Sequence, residues 1–216
     1  MDWGRTLLHS LDAGAVLVTQ HDDDFYPPMY LQRVLHERED VVVIHRPFLT
    51  RLWHHTQVQR LHPLFMVLDG RLVPWGQLAT PDEVFNIFLR SHLGKREVAF
   101  TYLAVSETAG GFTLLPDGGV FRVGRQERKE TLPRAPAFAA RLARFEQRSA
   151  FGPYPAGSRF AEVAGAWATL WTQLAVRWYG VENLPESRAC LAQALRYPYT
   201  RVVPDDLLRM RATLGM

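Results

Sequence analysis

The sequence predicts an α/β fold: a small, mostly parallel, Rossmann-like sheet with flanking helices, followed by a helical C-terminal extension. Three observations carry that prediction. Two short continuous apolar, β-branched runs, "AVLVT" at 15–19 and "DVVVIH" at 40–45, bracket a segment of helix length. Runs apolar on both faces belong to strands covered on both sides, hence to a parallel sheet, and strand–helix–strand at these lengths is a βαβ unit. After residue 130 alanine rises and β-branched residues thin out. That change divides the chain into an α/β domain, 1–130, and a helical extension, 131–216.

The elements follow in order. Between the first two runs, "PPMYLQRVLHER" has apolar residues at Met29, Leu31, Val34 and Leu35. "FLTRLWHHTQVQRL" supplies a second helical segment, and "LFMVLDG", 64–70, reads as a strand closed by a turn. In "ATPDEVFNIFLRSHLG", 79–94, Thr80 suits the N-cap, Pro81 the first helical position, Glu83 the capping-box position and Gly94 the residue past the end. "EVAFTYLAV", 97–105, is a further strand, and "GGFTLLPDGGVFRVG", 110–124, a hairpin turning at Asp117-Gly118-Gly119. In the extension, "APAFAARLARFEQRS" sets Phe138, Leu142 and Phe145 opposite Arg141, Arg144 and Arg148, as an amphipathic helix does. "SRFAEVAGAWATLWTQLAVRWYG" and "PESRACLAQALRYP" predict two more helices, and "PDDLLRMRATL" a last one.

Composition narrows the function classes only a little. The 216 residues, 47% hydrophobic and 22% charged, suit one packed domain with an appendage. A formal charge of +3 specifies no partner. Residues 122–148 hold eight basic against three acidic groups. The arginines of the helix there lie opposite its apolar face, however, and no recognition motif accompanies them, which argues against nucleic acid. The one cysteine, Cys190, lies in a helical apolar context and reads as a core residue. No apolar run reaches the roughly 18 residues of a membrane span, and "MDWGRTLLHSLDAG" lacks a signal-peptide layout.

The chemistry concentrates in "VLVTQHDDDFYPP". Asp22, Asp23 and Asp24 follow the carboxyl end of a parallel strand, where open α/β sheets bind ligands. Asp22 and Asp24 could share a hard cation such as Mg²⁺, Mn²⁺ or Ca²⁺. Capping is the stronger reading: Asp24 would cap the following helix, with Pro27 or Pro28 at its first position. A zinc site among His54, His55 and His62 is disfavoured, because adjacent histidines diverge on a helix and positions seven apart are two turns distant. No nucleophilic triad, P-loop or dinucleotide fingerprint is present.

Two resemblances add to this. Trp171, Leu174, Ala175, Trp178, Leu184, Ser187, Leu191 and Ala194 resemble a tetratricopeptide helix pair over about 160–198, without the usual turn glycine. A stable array needs about three such units, so a single hairpin docked on the α/β domain is expected. "QHDDDFYPPMYLQRVLHEREDVVVI", with Asp22, Asp24, Tyr26, Pro27, Tyr30, Leu31, Gln32 and Asp40 in register, resembles the soluble region after the membrane spans in a family of bacterial multi-pass proteins of unknown function related to protein O-mannosyltransferases. Trp53, "REVAFTYLAV" and "GGVFRV" extend the resemblance over residues 3–125. Three positions depart from it. His21 stands for a glycine, Asp23 for an asparagine and His45 for an asparagine; a turn needing positive φ at that glycine would change with His21.

The resemblance implies an extracytoplasmic accessory domain, attached to a bacterial membrane through a preceding portion, with sugar-transfer chemistry elsewhere. If the chain is the whole native protein, it is expected in the cytoplasm. The expected function is non-catalytic binding of a glycan, a lipid-linked sugar or a protein partner, with no resident cofactor. Candidate binding residues are His21, Asp22, Asp24, Tyr26, Tyr30, His45 and Trp53. The alternatives are a divalent-metal-dependent transferase or hydrolase acting at Asp22 and Asp24, and a helical interaction scaffold.

Overall fold

The computed structural model describes residues 2–68, 81–101, 113–124, 155, 158–197 and 212–215. It is an α/β structure built on a five-stranded, mostly parallel sheet. The strands are β1 (Val16–Thr19), β2 (Val42–His45), β3 (Val98–Thr101), β4 (Thr113–Asp117) and β5 (Val120–Gly124), in the order β2-β1-β3-β5-β4. β1 pairs parallel with both β2 and β3, whereas β5 runs antiparallel to β3 and to β4. Every residue of β1, β2 and β3 is buried, as continuous apolar runs require.

The helices are α1 (Asp2–His9), α2 (Asp22–Val34), α3 (Leu52–Leu61), α4 (Pro81–His92), α5 (Arg159–Gly180) and α6 (Leu184–Ala194), with a 3₁₀ turn at Arg46–Phe48. None of the described helices is long and apolar enough to cross a membrane.

The βαβ unit forms as expected, with corrections at its helix. α2 starts at Asp22, not after Asp24, so Pro27 and Pro28 lie inside it and His21 is its N-cap. Prolines in the second turn are tolerated there because the helix packs; their missing N–H groups cost bonds only to residues at its very start. The buried face is Phe25, Pro28, Leu31 and Gln32, while Val34 and Leu35 are exposed. Gln32 stays buried because its amide donates to the carbonyls of Arg38 (2.7 Å) and Val41 (2.8 Å), fixing the turn into β2.

Residues 64–68 form no strand. β1 is already paired on both edges, and the segment instead buries Phe65, Val67 and Leu68 while Leu64 and Met66 face outward. Phe65 stacks on His92 of α4, with ring centroids 4.6 Å apart. α4 ends where the sequence placed its end, with Gly94 at φ 87°. The expected cap Thr80 lies outside the described residues, as do residues 102–105 of the "EVAFTYLAV" strand, 110–112 of the hairpin segment and the helix over 135–149. Of "PDDLLRMRATL" only residues 212–214 are described.

The hairpin turns on Gly118-Gly119, and Gly118 takes φ 66°. Both glycines press against α1: the Ser10 hydroxyl accepts from Gly119 N at 2.7 Å, and a Cβ at Gly119 would meet Thr6. α1 was not among the elements read from the sequence. It crosses α2 at Gly4, where an added Cβ would lie 2.9 Å from the Pro27 carbonyl carbon.

α5 and α6 pack against each other as a helix hairpin. Ser158 caps α5, Asn183 caps α6, and Ser187 donates to the Ala175 carbonyl at 2.9 Å between them. Trp171, Leu174, Ala175, Ser187, Leu191 and Ala194 are buried, as is Cys190, whose thiol is pushed up to about 12 by burial. The hairpin docks on the α/β part through Trp167, edge-on to Trp3 at 5.5 Å, and through Arg177, which donates to the Leu114 carbonyl at 3.2 Å. The glycine missing from the turn has a structural consequence. Glu182 takes the left-handed position, φ 62°, with its N–H bonded to the Tyr179 carbonyl. Glu182→Gly is therefore expected to raise stability by about 0.5–1 kcal/mol, read as a higher midpoint in urea or thermal unfolding.

Candidate functional site

The site lies at the carboxyl ends of β1, β2 and β3. From β1 the chain runs to β2 on one side, and β3 takes the other side of β1. The crevice between β1 and β3 is thus a topological switch point. Two turns and a strand end meet there: Gln20-His21 into α2, the 3₁₀ turn after β2, and the end of β3 at Thr101.

Asp24 occupies the crevice and is fully buried. Its carboxylate accepts from His21 N at 2.8 Å, from Gln20 N at 3.3 Å and from the Thr101 hydroxyl. It therefore acts from the third helical position, reaching back to the N-cap, rather than from the cap itself. Burial raises its pKa, while the Thr101 hydroxyl and the two backbone N–H groups oppose that rise. His21 has extended backbone, φ −120° and ψ 163°, so the turn into α2 needs no positive φ at this position. Asp22 is exposed at the start of α2 and Asp23 half-exposed. Among the described residues no group of three or more His, Cys, Asp or Glu is arranged to hold a metal ion.

His45 ends β2 and is buried. Its Nδ1 lies 3.0 Å from the Thr19 hydroxyl, which ends β1. The ring stacks on Phe25 of α2 at 4.6 Å and meets Phe48 edge-on at 4.5 Å. Phe48 in turn packs on Trp53 at 4.9 Å and on His54 at 5.8 Å. On the other side, Phe25 meets Tyr26 at 5.2 Å. His54 is buried and its Nε2 accepts from His45 N at 3.4 Å. Burial lowers both imidazoles to about 4, so both are neutral at neutral pH.

A packed stack of Phe25, His45, Phe48 and His54 thus joins two exposed rings, Tyr26 at the Phe25 end and Trp53 at the Phe48 end. Tyr26 is 57% and Trp53 53% exposed, and Leu52 beside Trp53 is 62% exposed. Tyr30, one turn past Tyr26 on α2, is also exposed. Tyr26 and Tyr30 from α2 and Trp53 from α3 are the exposed rings bordering this stack, an aromatic ledge at the carboxyl ends of the parallel strands, and Asp22 is exposed at the start of α2.

Sequence reasoning named His21, Asp22, Asp24, Tyr26, Tyr30, His45 and Trp53. The fold places all of them on α2, at the end of β2 or at the start of α3. It buries Asp24 and His45, leaves Asp22, Tyr26, Tyr30 and Trp53 exposed, and half-buries His21. Phe25, Phe48, Thr19 and Thr101 were not named, and His54 entered only in the disfavoured zinc reading. The stack explains the rings, and Thr19 and Thr101 matter as partners of His45 and Asp24; an aromatic next to a named ring was a readable signal in "DFYPP" and "HRPF".

Neither a family model, a curated protein nor a solved structure matches the chain.

Proposed function

We propose that the chain is a binding module, not a catalyst, and that its α/β part takes a neutral glycan on the aromatic ledge. The observation that carries this reading is the pair of half-exposed rings, Tyr26 and Trp53, held by a buried aromatic stack at the carboxyl edge of the sheet. Solvent-facing aromatics cost hydration unless something covers them. A pyranose offers an apolar C–H face to such rings and hydroxyl donors to a carboxylate such as Asp22. Because the rings are buttressed, little side-chain freedom is lost on binding. Asp22 and Asp23 at the start of α2 disfavour an acidic sugar.

Asp24 supports binding over catalysis, since its carboxylate is engaged by two backbone N–H groups and the Thr101 hydroxyl rather than presented to a substrate. The resemblance of residues 3–125 to the soluble part of mannosyltransferase-related membrane proteins points the same way. On that reading the domain holds a glycan for chemistry done elsewhere, outside the cytoplasm.

Titration with mannotriose, maltotriose and chitotriose, followed by calorimetry, tests the proposal. At least one should bind, and Trp53→Ala should weaken that binding at least about tenfold, ~1.4 kcal/mol, with the protein still cooperatively folded at the titration temperature. Absence of heat and of any spectral change at millimolar saccharide would overturn it.

A further inference from the structure

We propose that His45 and His54 form a proton-operated catch beneath the aromatic ledge, which acid releases because no described residue offers a charged His54 an acceptor. The inference rests on the ledge being the binding surface, and it concerns how that surface is regulated.

The hydrogen bonds of His54 fix its protonation. Nε2 accepts from the His45 backbone N–H, which requires a lone pair there and puts the ring proton on Nδ1. Nδ1 is buried and has no hydrogen-bond partner among the described residues. A second proton must go to Nε2, where it would face the His45 N–H donor to donor. The imidazolium would then hold two N–H groups, neither with an acceptor among the described residues, in a residue only 2% exposed. A buried charge without partners is not tolerated, so the ring must leave. Phe48 and Trp53 pack on that ring, at 5.8 Å and 5.6 Å, and Trp53 is its neighbour in the chain. Departure of His54 therefore withdraws the support of Trp53.

His45 is the tolerant partner. A proton on its Nδ1 can be donated to the Thr19 hydroxyl, which lies 3.3 Å from the Ile44 carbonyl and can pass its own proton on. The surrounding charges are few. From α2, Asp22 favours charging of His45 and His21 opposes it. From α3, His55 opposes charging of His54, as does His45 from β2. β1 contributes only the uncharged Thr19. Arg46, next to His45, is turned away to Asp82 at 2.9 Å and over the Phe85 ring. Arg51 precedes α3 and is exposed.

The sign follows. Both imidazoles sit near 4, below the 6.5 of a free imidazole. The stability they contribute is complete above pH 6.5 and is lost as the pH falls toward 4.

The test is NMR of the full chain from about pH 7 to pH 4, reading imidazole ¹⁵N shifts and the Trp53 indole N–H. That indole signal is assigned by its loss in Trp53→Phe. His54 should be the neutral Nδ1–H tautomer at pH 7. Between about pH 5 and pH 4 it should take up a proton, and the Trp53 signal should shift with it. The hairpin amides of 113–124 should keep their exchange protection. In His54→Gln, whose amide oxygen still accepts from His45 N, the Trp53 signal should hold to pH 4. A His54 charged at pH 6, a Trp53 signal blind to His54, or loss of the whole sheet at the same pH would overturn the catch. Maltotriose, mannotriose and chitotriose titrations at pH 7 and about pH 3.5 separate the two ideas. If none binds at pH 7 while Trp53 is still released in acid, the binding reading fails and the catch stands. If one binds equally at both pH values, the catch fails.

Discussion

Arg122→Met is expected to destabilise the protein by about 3–5 kcal/mol, among the largest losses available to a single substitution here. Arg122 stands on β5 and is 8% exposed. Its Nε lies 2.6 Å from Asp117 Oδ2, and its Nη1 lies 2.5 Å from Glu97 Oε2 and 3.1 Å from Asp12 Oδ2. Its Nη2 donates to the Ser10 carbonyl at 3.1 Å. One guanidinium thus joins the end of α1, the loop into β1, the start of β3 and the hairpin turn. Methionine fills much of the volume but leaves the buried Asp117 and the partly buried Glu97 carboxylates without their cation.

The pH dependence tells electrostatic loss from packing loss. Burial already pushes Glu97 up to about 7, although Arg122 opposes the rise. A carboxyl raised in the folded state contributes stability below its unfolded pKa and loses it as the pH climbs through the folded value. Arg122→Met should therefore recover stability on going from pH 8 to pH 5, and Arg122→Met/Glu97→Gln should recover part of it at pH 8. Urea unfolding at the two pH values checks this. A loss under about 1 kcal/mol, or one independent of pH, would mean the cluster is only packing.

Asp24→Ala is expected to cost about 3 kcal/mol, because two backbone N–H donors and the Thr101 hydroxyl would lose a common buried acceptor. Asp24→Asn should fall between, since it keeps one acceptor oxygen but turns an N–H₂ toward other donors. The loss should be local: β1, β3 and the start of α2 are tied at this carboxylate, so amides of 20–25 and Thr101 should lose exchange protection before those of β5. Equal stability of Asp24→Ala and the parent would show that the crevice is held by apolar packing alone.

The parts of the fold legible in the sequence are those where one residue pattern has one outcome. "AVLVT" and "DVVVIH" could only be covered strands, and Asp117-Gly118-Gly119 could only be a tight turn. The start of α2 was misplaced because a proline pair signals a first turn, whereas here Asp24 anchors a turn that begins earlier. The 64–70 segment has strand composition, but whether an apolar run pairs or merely packs depends on which strand edges are open. α1 went unread although Trp3, Leu7, Leu8 and Leu11 have helical spacing. Of the site, the exposed rings Tyr26, Tyr30 and Trp53 and the crevice residues Asp22 and Asp24 were legible. Their support was not: Phe25, Phe48 and His54 come together only when α2, the turn after β2 and α3 pack on one edge.

Chemical-shift mapping of a bound trisaccharide tests the central claim most directly. With the saccharide that binds, perturbations should centre on the Trp53 indole, Tyr26, Tyr30 and the backbone of residues 20–26, and should vanish in Trp53→Ala. Perturbations centred on the α5–α6 hairpin, or none at millimolar saccharide, would contradict it.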